Sequence, residues 1–295
     1  MSRSKIVSAG EALAGLRDGM QIATGGWIFN SQPMALVREI IRKGVKNLRL
    51  VPAPGSIAPD MLIGAGLVAD IACVFISFEQ FGLAPNFRRA AEAGAIKIRE
   101  MDGPGIAGGL RAGACDLPYM LVPDLCTDLP GVNPETYRQV PHQPGERRML
   151  AVASIQPDFI LLHGQQADEL GNVQFHGGGF FDPLLAQAGK RVVVSVDRIV
   201  DTATIRRHNR LTKLPAAFVH AVVEAPYGAH PSSSAAAYDL DQEHIREYVK
   251  ASADQSSFDA YLDRYVTQTG GESGYLDLIG RDRLAGLKTA APPTA

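Results

Sequence analysis

Short apolar runs alternate with segments of helical spacing through most of this chain, and this alternation constrains the fold more than any other feature. Between Pro33 and Gly44 apolar residues recur three to four positions apart, which predicts a helix bounded by these two residues. A second helix is predicted over 84–94. The apolar runs predict strands at 20–24, 47–51, 69–77, 95–99, 159–163, 191–196 and 218–224. Runs this apolar are typical of parallel strands covered on both faces, so the sequence predicts an α/β fold with a mainly parallel sheet between helices.

The length and the pattern together predict one domain over residues 1–288. A polar, proline-containing segment at about 124–148 shows no periodicity and is expected to be an irregular excursion from this domain. Segments 241–253 and 256–267 carry helical spacing and predict a helical C-terminal tail. Residues 289–295 are expected to be disordered.

Charge and cysteine content argue against several classes of protein. Twenty-nine basic and thirty-one acidic residues give a net charge of −2, and no basic run exceeds a pair, so no nucleic-acid partner is expected. Three cysteines without CxxC spacing predict neither a disulfide framework nor a zinc site, and fit a cytoplasmic location. Charged residues interrupt the N-terminal segment and no apolar window is long enough to span a bilayer, so neither export nor membrane association is expected.

Residues 103–108 spell G-P-G-I-A-G, the letters of a dinucleotide-binding fingerprint. That fingerprint needs a long helix beneath a pyrophosphate, whereas Gly109, Gly113 and Pro118 predict that any helix here is short. We therefore expect a glycine-rich turn or a loop that approaches its neighbours closely, with a nicotinamide or flavin site as the alternative.

Two of the seven histidines, His163 and His230, fall at or just beyond the carboxyl end of a predicted strand. Ligands of open parallel sheets collect at that edge. His230 lies in the stretch AVVEAPYGAHPSS (221–233), where a structural or interface role is favoured and contact with a ligand is the alternative. The histidine spacing shows no metalloprotease pattern, and no metal site is predicted.

No side chain stands out as a nucleophile from the sequence alone. Ser195 lacks the flanking glycines of a nucleophile elbow, and Cys73 lies in an apolar strand where a thiolate would be unfavourable. Glu79 and Glu224 follow or end predicted strands beside apolar residues, and are the two candidate catalytic carboxylates, with a solvated surface role as the alternative for Glu79.

Several stretches together resemble the A (alpha) subunits of the family I CoA-transferases, especially those of the glutaconate CoA-transferase group. They span about residues 10–288, and their order and spacing carry the resemblance more than any single motif does. They are GGWIFNSQP (25–33), DMLIGAG (60–66), FRRAAEAG (87–94), PGE (144–146), HGQQADELGN (163–172) and AVVEAPYGAHPSS (221–233). The resemblance implies a CoA-transferase-like (NagB/RpiA-like) fold, and a B subunit of related fold whose cleft with this chain forms the active site.

The resemblance also implies the chemistry. A glutamate of the B subunit attacks an acyl-CoA thioester, giving a mixed anhydride and then a glutamyl-CoA thioester, with CoA as a substrate and no permanently bound cofactor. This chain would supply part of the acyl pocket, and the backbone N–H groups of its double glycine would approach a developing oxyanion. The expected substrate- or CoA-binding residues are Gly25, Gly26, Trp27, Asn30, Ser31, Ser77, His163, Gln165, Gln166 and His230.

Departures from the family pattern bear on the substrate. Glutaconate-type enzymes and the related hydrolases of steroid-derived ring CoA thioesters resemble each other in carrying basic residues after the double glycine. Residues 27–32 here (WIFNSQ) contain none, which favours a bulkier or less charged acyl group. The chain also resembles the steroid-ring-cleaving hydrolases of this fold at Trp27, at REMD (99–102) and at VEAP (223–226). Those enzymes have a working glutamate shortly after the REMD-like stretch, where this chain has residues 103–105, Gly-Pro-Gly. An acyl-CoA hydrolase, a decarboxylase and a non-catalytic acyl-CoA-binding protein remain alternatives.

Overall fold

The computed structural model describes residues 4–289, which form twelve strands and twelve α-helices. The strands are β1 (Gln21–Thr24), β2 (Leu48–Pro52), β3 (Val68–Cys73), β4 (Lys97–Glu100), β5 (Tyr119–Pro123), β6 (Tyr137–Gln139), β7 (Met149–Ala153), β8 (Phe159–Ala167), β9 (Val173–Gln174), β10 (Val192–Ile199), β11 (Thr212–Leu214) and β12 (Ala221–Glu224). The helices are α1 (Ala9–Ala12), α2 (Met34–Lys43), α3 (Ile57–Gly64), α4 (Pro85–Glu92), α5 (Gly103–Ala114), α6 (Leu129–Val132), α7 (Asp182–Ala188), α8 (Thr202–Arg207), α9 (Gln242–Ala251), α10 (Gln255–Leu262), α11 (Glu272–Ile279) and α12 (Arg281–Gly286).

The main sheet consists of seven parallel strands in the order β4-β3-β2-β1-β8-β10-β12. The short strands β9 and β11 add to it in antiparallel fashion beyond the carboxyl end of β8. Alternate residues of the strands enter two separate cores: Ile22, Leu161 and Val193 face one, whereas Ala23, Leu162 and Val194 face the other. The predicted parallel α/β fold with helices on both faces is confirmed.

The predicted helix between Pro33 and Gly44 is α2. Gly44 ends it in the left-handed conformation, at φ 67°, and its N–H donates to the carbonyls of Ile40 and Ile41. Glycine adopts this conformation without the steric penalty of a side chain, so its position sets the end of the helix. The predicted helical tail is also present, as α9 and α10, with Asp241 capping the first.

The glycine-rich segment at 103–108 is not the turn or loop predicted from the sequence, because it forms the first half of helix α5. The prediction of close approach was right. A Cβ at Gly108 would lie 2.5 Å from Cγ1 of Val122, and one at Gly109 would lie 2.7 Å from Cδ1 of Ile155. Packing against this neighbouring layer therefore outweighs the low helix propensity of glycine.

A second, three-stranded antiparallel sheet, β5-β7-β6, lies beside α5 and was not predicted. The segment expected to be an irregular excursion, 124–148, contributes α6 and strand β6 to this region. The predicted disordered tail, 289–295, lies outside the described residues except for Thr289. Over 4–289, no helix combines the length and the apolar character that crossing a membrane would require.

Candidate functional site

The order of the strands makes the carboxyl edge between β1 and β8 the switch point of the sheet, and we call this edge, with Gly25, Gly26 and residues 163–166, the crevice. From β1 the chain moves outward through β2, β3 and β4, whereas β8, β10 and β12 extend the sheet in the other direction. Connections leave two adjacent strands in opposite directions at such a switch point, and ligands of open α/β sheets bind outside the carboxyl ends of the strands there. Gly25 and Gly26 follow β1, and the polar end of β8, from His163 to Gln166, lies beside them.

The double glycine packs against a buried carboxylate. The N–H of Gly26 donates to Oδ1 of Asp182 at 2.8 Å, and the N–H of Gly25 donates to the carbonyl of Leu161 at 2.9 Å. A Cβ at Gly25 would overlap both Leu162 and Asp182. Both N–H groups are therefore used within the chain, and the oxyanion role predicted for them is corrected: close packing is what requires glycine at these two positions.

Burial raises the pKa of Asp182 to about 7, although the hydrogen bond from Gly26 opposes this shift. The protonated form is thus the one that the folded chain favours. The contribution of this group to stability is greatest below pH 4, falls as the pH rises towards 7, and is constant above that.

Asp182→Asn keeps an acceptor for the N–H of Gly26 and cannot ionise. Between pH 4 and pH 7 the wild type should lose stability that this variant keeps. The free energy of unfolding of the variant should therefore rise relative to that of the wild type by about 2–4 kcal/mol in total, because three pKa units correspond to about 4 kcal/mol. Urea unfolding at a series of pH values measures this difference. The exposed Asp277→Asn is the matched control, and a difference between Asp182→Asn and wild type that does not change with pH would contradict the assignment.

Beyond the glycines, the chain makes a tight turn in which Trp27 and Asn30 exchange two backbone hydrogen bonds of 2.8 Å. This turn pairs with loops that follow other strands: Ile28 bridges Gly55 after β2, and Asn30 bridges Ser233 after β12. These bridges hold the loops together as a second layer above the carboxyl ends of the strands.

A hydrogen-bonded polar network lines this edge. Nε2 of Gln165 donates to Oγ of Ser234 at 3.0 Å and to Oγ of Ser31 at 3.4 Å. Oγ of Ser234 donates to Oδ2 of Asp197 at 2.6 Å, and the same carboxylate oxygen lies 3.3 Å from Nε2 of His163. Three of the residues predicted for binding, Ser31, His163 and Gln165, are therefore brought together by residues that are distant in sequence.

The other ring nitrogen of His163 lies 3.0 Å from Oγ of Ser195, which completes a serine, histidine and aspartate series. Ser195 is fully buried within β10, and its hydroxyl donates to the carbonyl of Leu162 at 3.2 Å. A nucleophile must reach its substrate, so this series orders the crevice and does not attack a ligand. The prediction that Ser195 is not a nucleophile fits this position.

Two further features distinguish this edge of the sheet. Within the described part of the chain, Oγ1 of Thr24, Oε1 of Gln32 and Oδ1 of Asp197 are buried without a hydrogen-bond partner. Ile28 and Ser31 have φ values of 49° and 54°, in the left-handed region that is unfavourable for side chains. Unpaired buried atoms and strained residues are destabilising, and they concentrate at functional sites.

An aromatic pair lies beside the double glycine, beyond the carboxyl end of β1. The rings of Trp27 and Phe180 are stacked, with centroids 4.8 Å apart and planes 18° from parallel. Trp27 follows Gly26 directly, and Phe180 lies two residues before Asp182. The hydrogen bond between Gly26 and Asp182 thus joins the two chain segments that carry these rings.

Comparison with known proteins assigns the chain to a family. Residues 6–225, well over half of the chain, match the coenzyme A transferase family. The chain belongs to the coenzyme A transferase family. The resemblance seen in the sequence is thereby confirmed.

Relatives cover almost all of this coenzyme A transferase chain. It is 33% identical to the A subunit of glutaconate CoA-transferase from Acidaminococcus fermentans over 97% of this chain and 95% of the relative. The crystal structure of glutaconate CoA-transferase from the same organism superposes with a TM-score of 0.91, at 30% identity, over 97% of this chain and 96% of that one. The chain is also 32% identical to the cholesterol ring-cleaving hydrolase IpdA subunit of Rhodococcus jostii, over 92% of this chain and 95% of the relative.

The two candidate glutamates of this transferase-family chain lie far apart. Glu79 is exposed after β3, and Glu224 is exposed at the end of β12, where it accepts a hydrogen bond of 3.3 Å from the N–H of Ile199. Five strand spacings separate β3 from β12, roughly 24 Å. The structure therefore does not bring these two side chains together.

Two other predicted binding residues lie outside the polar network. Oγ of Ser77 accepts a hydrogen bond of 3.0 Å from the N–H of Glu79, in the loops beyond β3. Gln166 donates to Gln174 at 2.6 Å and accepts from Nε of Arg198 at 2.9 Å. Asn30 does reach the site, since its side chain donates to Oγ of Ser233 at 3.2 Å.

His230 is fully buried, and both ring nitrogens are engaged within the chain. Nδ1 lies 2.6 Å from the hydroxyl of Tyr275, and Nε2 lies 3.0 Å from Oδ2 of Asp241. Burial lowers the pKa of His230, against the effect of Asp241, so the ring is predominantly neutral at pH 7. The backbone that follows His230 carries the serines of the site, and this arrangement favours the structural role expected for it.

Sequence reasoning missed Asp182, Asp197 and Phe180. Asp197 directly follows the predicted strand 191–196, so its position at a strand end was a usable signal. Asp182 and Phe180 follow three consecutive glycines and gave no comparable signal. Burial raises the pKa of the Cys73 thiol to about 12, in keeping with its predicted inertness. Within 4–289, no cluster of three or more histidine, cysteine or acidic residues could hold a metal ion.

Proposed function

We propose that this chain is the A subunit of a heteromeric CoA-transferase, which moves CoA between an acyl-CoA and a carboxylic acid with a B subunit that carries the nucleophilic glutamate. Membership of the family and similarity to the A subunit of glutaconate CoA-transferase support the CoA-transferase activity itself. The composition of the crevice is the observation that supports placing the nucleophile on the B subunit. The crevice gathers glycines, amides, hydroxyls and two aspartates, Asp182 and Asp197, that are hydrogen-bonded within the chain, whereas both candidate glutamates lie outside it.

The proposed reaction needs one carboxylate nucleophile. The partner's glutamate attacks the thioester carbonyl carbon, the carbon–sulfur bond breaks, and an acyl-glutamyl anhydride and CoA thiolate result. The thiolate then attacks the glutamyl carbonyl of the anhydride, which releases the first acid as a carboxylate and leaves a glutamyl-CoA thioester. A second carboxylate reverses both steps. CoA enters and leaves as a substrate, and no step changes an oxidation state.

In this proposal the present chain binds the acyl group and orients it. The half-buried side chain of Asn30 is held in place by Ser233, so it can hydrogen-bond an acyl group without being reordered first, and the buried Ser31 and Gln165 brace the loop behind it. Fixing the acyl group relative to the partner's glutamate converts a bimolecular attack into a positioned one.

Hydrolysis is a second candidate, because the chain is 32% identical to the IpdA subunit of a cholesterol ring-cleaving hydrolase. The resemblance places the working glutamate of such enzymes just after an REMD-like stretch. Here that position is the first turn of α5, and residues 103–114 contain no acidic side chain. This composition favours transfer to a carboxylate over transfer to water.

The test uses this chain co-purified with its candidate B subunit, an acyl-CoA panel and a labelled acceptor acid. We expect transfer by the complex and none by the single chain. We also expect Glu79→Gln and Glu224→Gln to leave kcat within about twofold of wild type, since neither residue enters the crevice network. Transfer by the purified single chain, or loss of kcat in either variant, would place the chemistry on this chain. Thioester consumption without labelled product would favour the hydrolase.

A further inference from the structure

We propose that the stacked pair Trp27 and Phe180 is the acyl-recognition surface of this chain, and that it selects thioesters whose acyl group carries a flat apolar ring over thioesters of small dicarboxylic acids. This assignment of a substrate class rests on the proposed CoA-transferase function. It follows from where the pair lies, how it is held, and which charges surround it.

Both rings are tied to the crevice at the switch point. Trp27 is the first residue after the double glycine, and Phe180 lies within the same turn of chain as Asp182, which accepts the hydrogen bond of Gly26. The turn from Trp27 to Asn30 is closed by two backbone hydrogen bonds, so the indole cannot move far from the polar network that begins at Asn30. An acyl group bound at the half-buried Asn30 therefore lies beside the aromatic pair.

The geometry of the pair leaves aromatic surface open to a ligand. Phe180 is 51% exposed, and its φ of 40° is unfavourable for a bulky side chain. An exposed aromatic residue in a strained conformation gains little for folding alone, and strain of this kind is retained where it serves a site. The two rings are nearly parallel, so the pair presents a flat face on which another ring can stack.

The charges around the pair do not suit a second carboxylate on the acyl group. Residues 27–32 contain no lysine or arginine, and the carboxylate of Asp197 adjoins the crevice. Of the nearby cations, Arg198 has its Nε bonded to Gln166, and Lys213 is an exposed residue beside Gly179. A dicarboxylate would meet the carboxylate of Asp197 and find only the exposed cations Arg198 and Lys213, whereas a neutral ring needs no cation.

The experiment measures binding to the A and B complex by titration calorimetry, with phenylacetyl-CoA, glutaryl-CoA and free CoA as probes. We expect phenylacetyl-CoA to bind at least tenfold more tightly than glutaryl-CoA. Trp27→Ala and Phe180→Ala should each weaken phenylacetyl-CoA about tenfold and leave glutaryl-CoA and free CoA within twofold, with Trp27→Phe retaining most of the affinity. If loss of the Trp27 indole disturbs the turn, Phe180→Ala still tests the proposal, because Phe180 is half-exposed and its removal should not disturb the fold.

Two control variants make the outcomes separable. Phe218→Ala removes an equally aromatic, 38% exposed residue before the amino end of β12, and should change none of the three affinities. Lys213→Ala should change neither thioester. Equal affinity for the two thioesters, a selective loss of glutaryl-CoA in Lys213→Ala, or an equal loss of free CoA in the aromatic variants would overturn the assignment. Selective binding without transfer would contradict only the proposed CoA-transferase function. Transfer without selectivity between the thioesters would contradict only the aromatic recognition surface. If neither thioester binds, both proposals are contradicted.

Discussion

Asp241→Ala is expected to lower the free energy of unfolding by about 3 kcal/mol, the low end of the range found when one partner of a buried ion pair is removed, because the side chain of Arg283 is 34% exposed. The carboxylate of Asp241 is buried and accepts two hydrogen bonds from the guanidinium of Arg283, at 2.6 and 2.7 Å. It also lies 3.0 Å from the ring of His230 and caps helix α9 through the N–H of His244, at 2.9 Å. Removing it leaves each of these groups without its partner inside the fold.

The effect of this substitution should depend on pH. Burial alone would raise the pKa of Asp241, but hydrogen bonds from His230 and Arg283 outweigh burial and hold that pKa well below its usual range. A carboxyl group with a lowered pKa in the folded state contributes its full stabilisation above its unfolded pKa, near 4, and loses it as the pH falls below that value. Urea unfolding of wild type and Asp241→Ala should therefore give curves that converge below pH 4.

Glu243→Ala is the matched control, since Glu243 lies on the same helix, 3.8 Å from the same arginine, and is 84% exposed. Exposed ion pairs contribute about 0–1 kcal/mol, so this variant should unfold nearly as wild type does. A loss below about 1 kcal/mol in Asp241→Ala would show that the cluster around His230 does not hold the C-terminal helices.

Gly26→Ala is expected to abolish most of the transfer activity of the A and B complex, by about a hundredfold or more, because displacement of positioning groups by about 1 Å has effects of that size. Gly26 has a φ of 84°, and a Cβ there would lie 2.6 Å from the backbone carbonyl oxygens of both Asn30 and Ser31. Backbone cannot give way as a flexible side chain does. The turn that carries Trp27, Asn30 and Ser31 would have to open.

Gly19→Ala separates backbone strain from this displacement. Gly19 has a similar φ of 77°, but a Cβ there would meet nothing within 4 Å, and it precedes β1 at the amino end of the strand. Both variants should lose about 1 kcal/mol of stability from the left-handed alanine, and Gly26→Ala should lose more because its turn must open, whereas only Gly26→Ala should lose activity. Steady-state transfer rates and urea unfolding measure the two effects. Equal activity in the two variants would show that the crevice at the switch point takes no part in catalysis.

The sequence predicts elements whose signals are local. Helix α2 is recognisable because its apolar spacing, its proline and its terminal glycine all lie within a dozen residues. The apolar strands of the parallel sheet are recognisable because they are buried on both faces. Even so, β8 extends through Ala167 rather than ending at His163, because its polar residues are also buried.

Features that depend on distant residues could not be read in this way. Helix α5 contains glycines at 103, 105, 108, 109 and 113, and only the packing of β5 and β7 against it explains why they are compatible with a helix. Asp182 is 156 residues from Gly26, and Ser233 is 203 residues from Asn30. No spacing rule connects such pairs, so the sequence indicated the glycines and Asn30 as site residues but not the groups that hold them.

The position of the covalent intermediate tests the proposed division of labour most directly. The A and B complex is incubated with acyl-CoA, trapped with borohydride or hydroxylamine, and digested for peptide mass spectrometry. We expect a modified glutamate on the B subunit, with none on this chain, because no glutamate within residues 4–289 lies in the crevice network. A label on Glu79 or Glu224 would contradict this division and would move the nucleophile into the present chain.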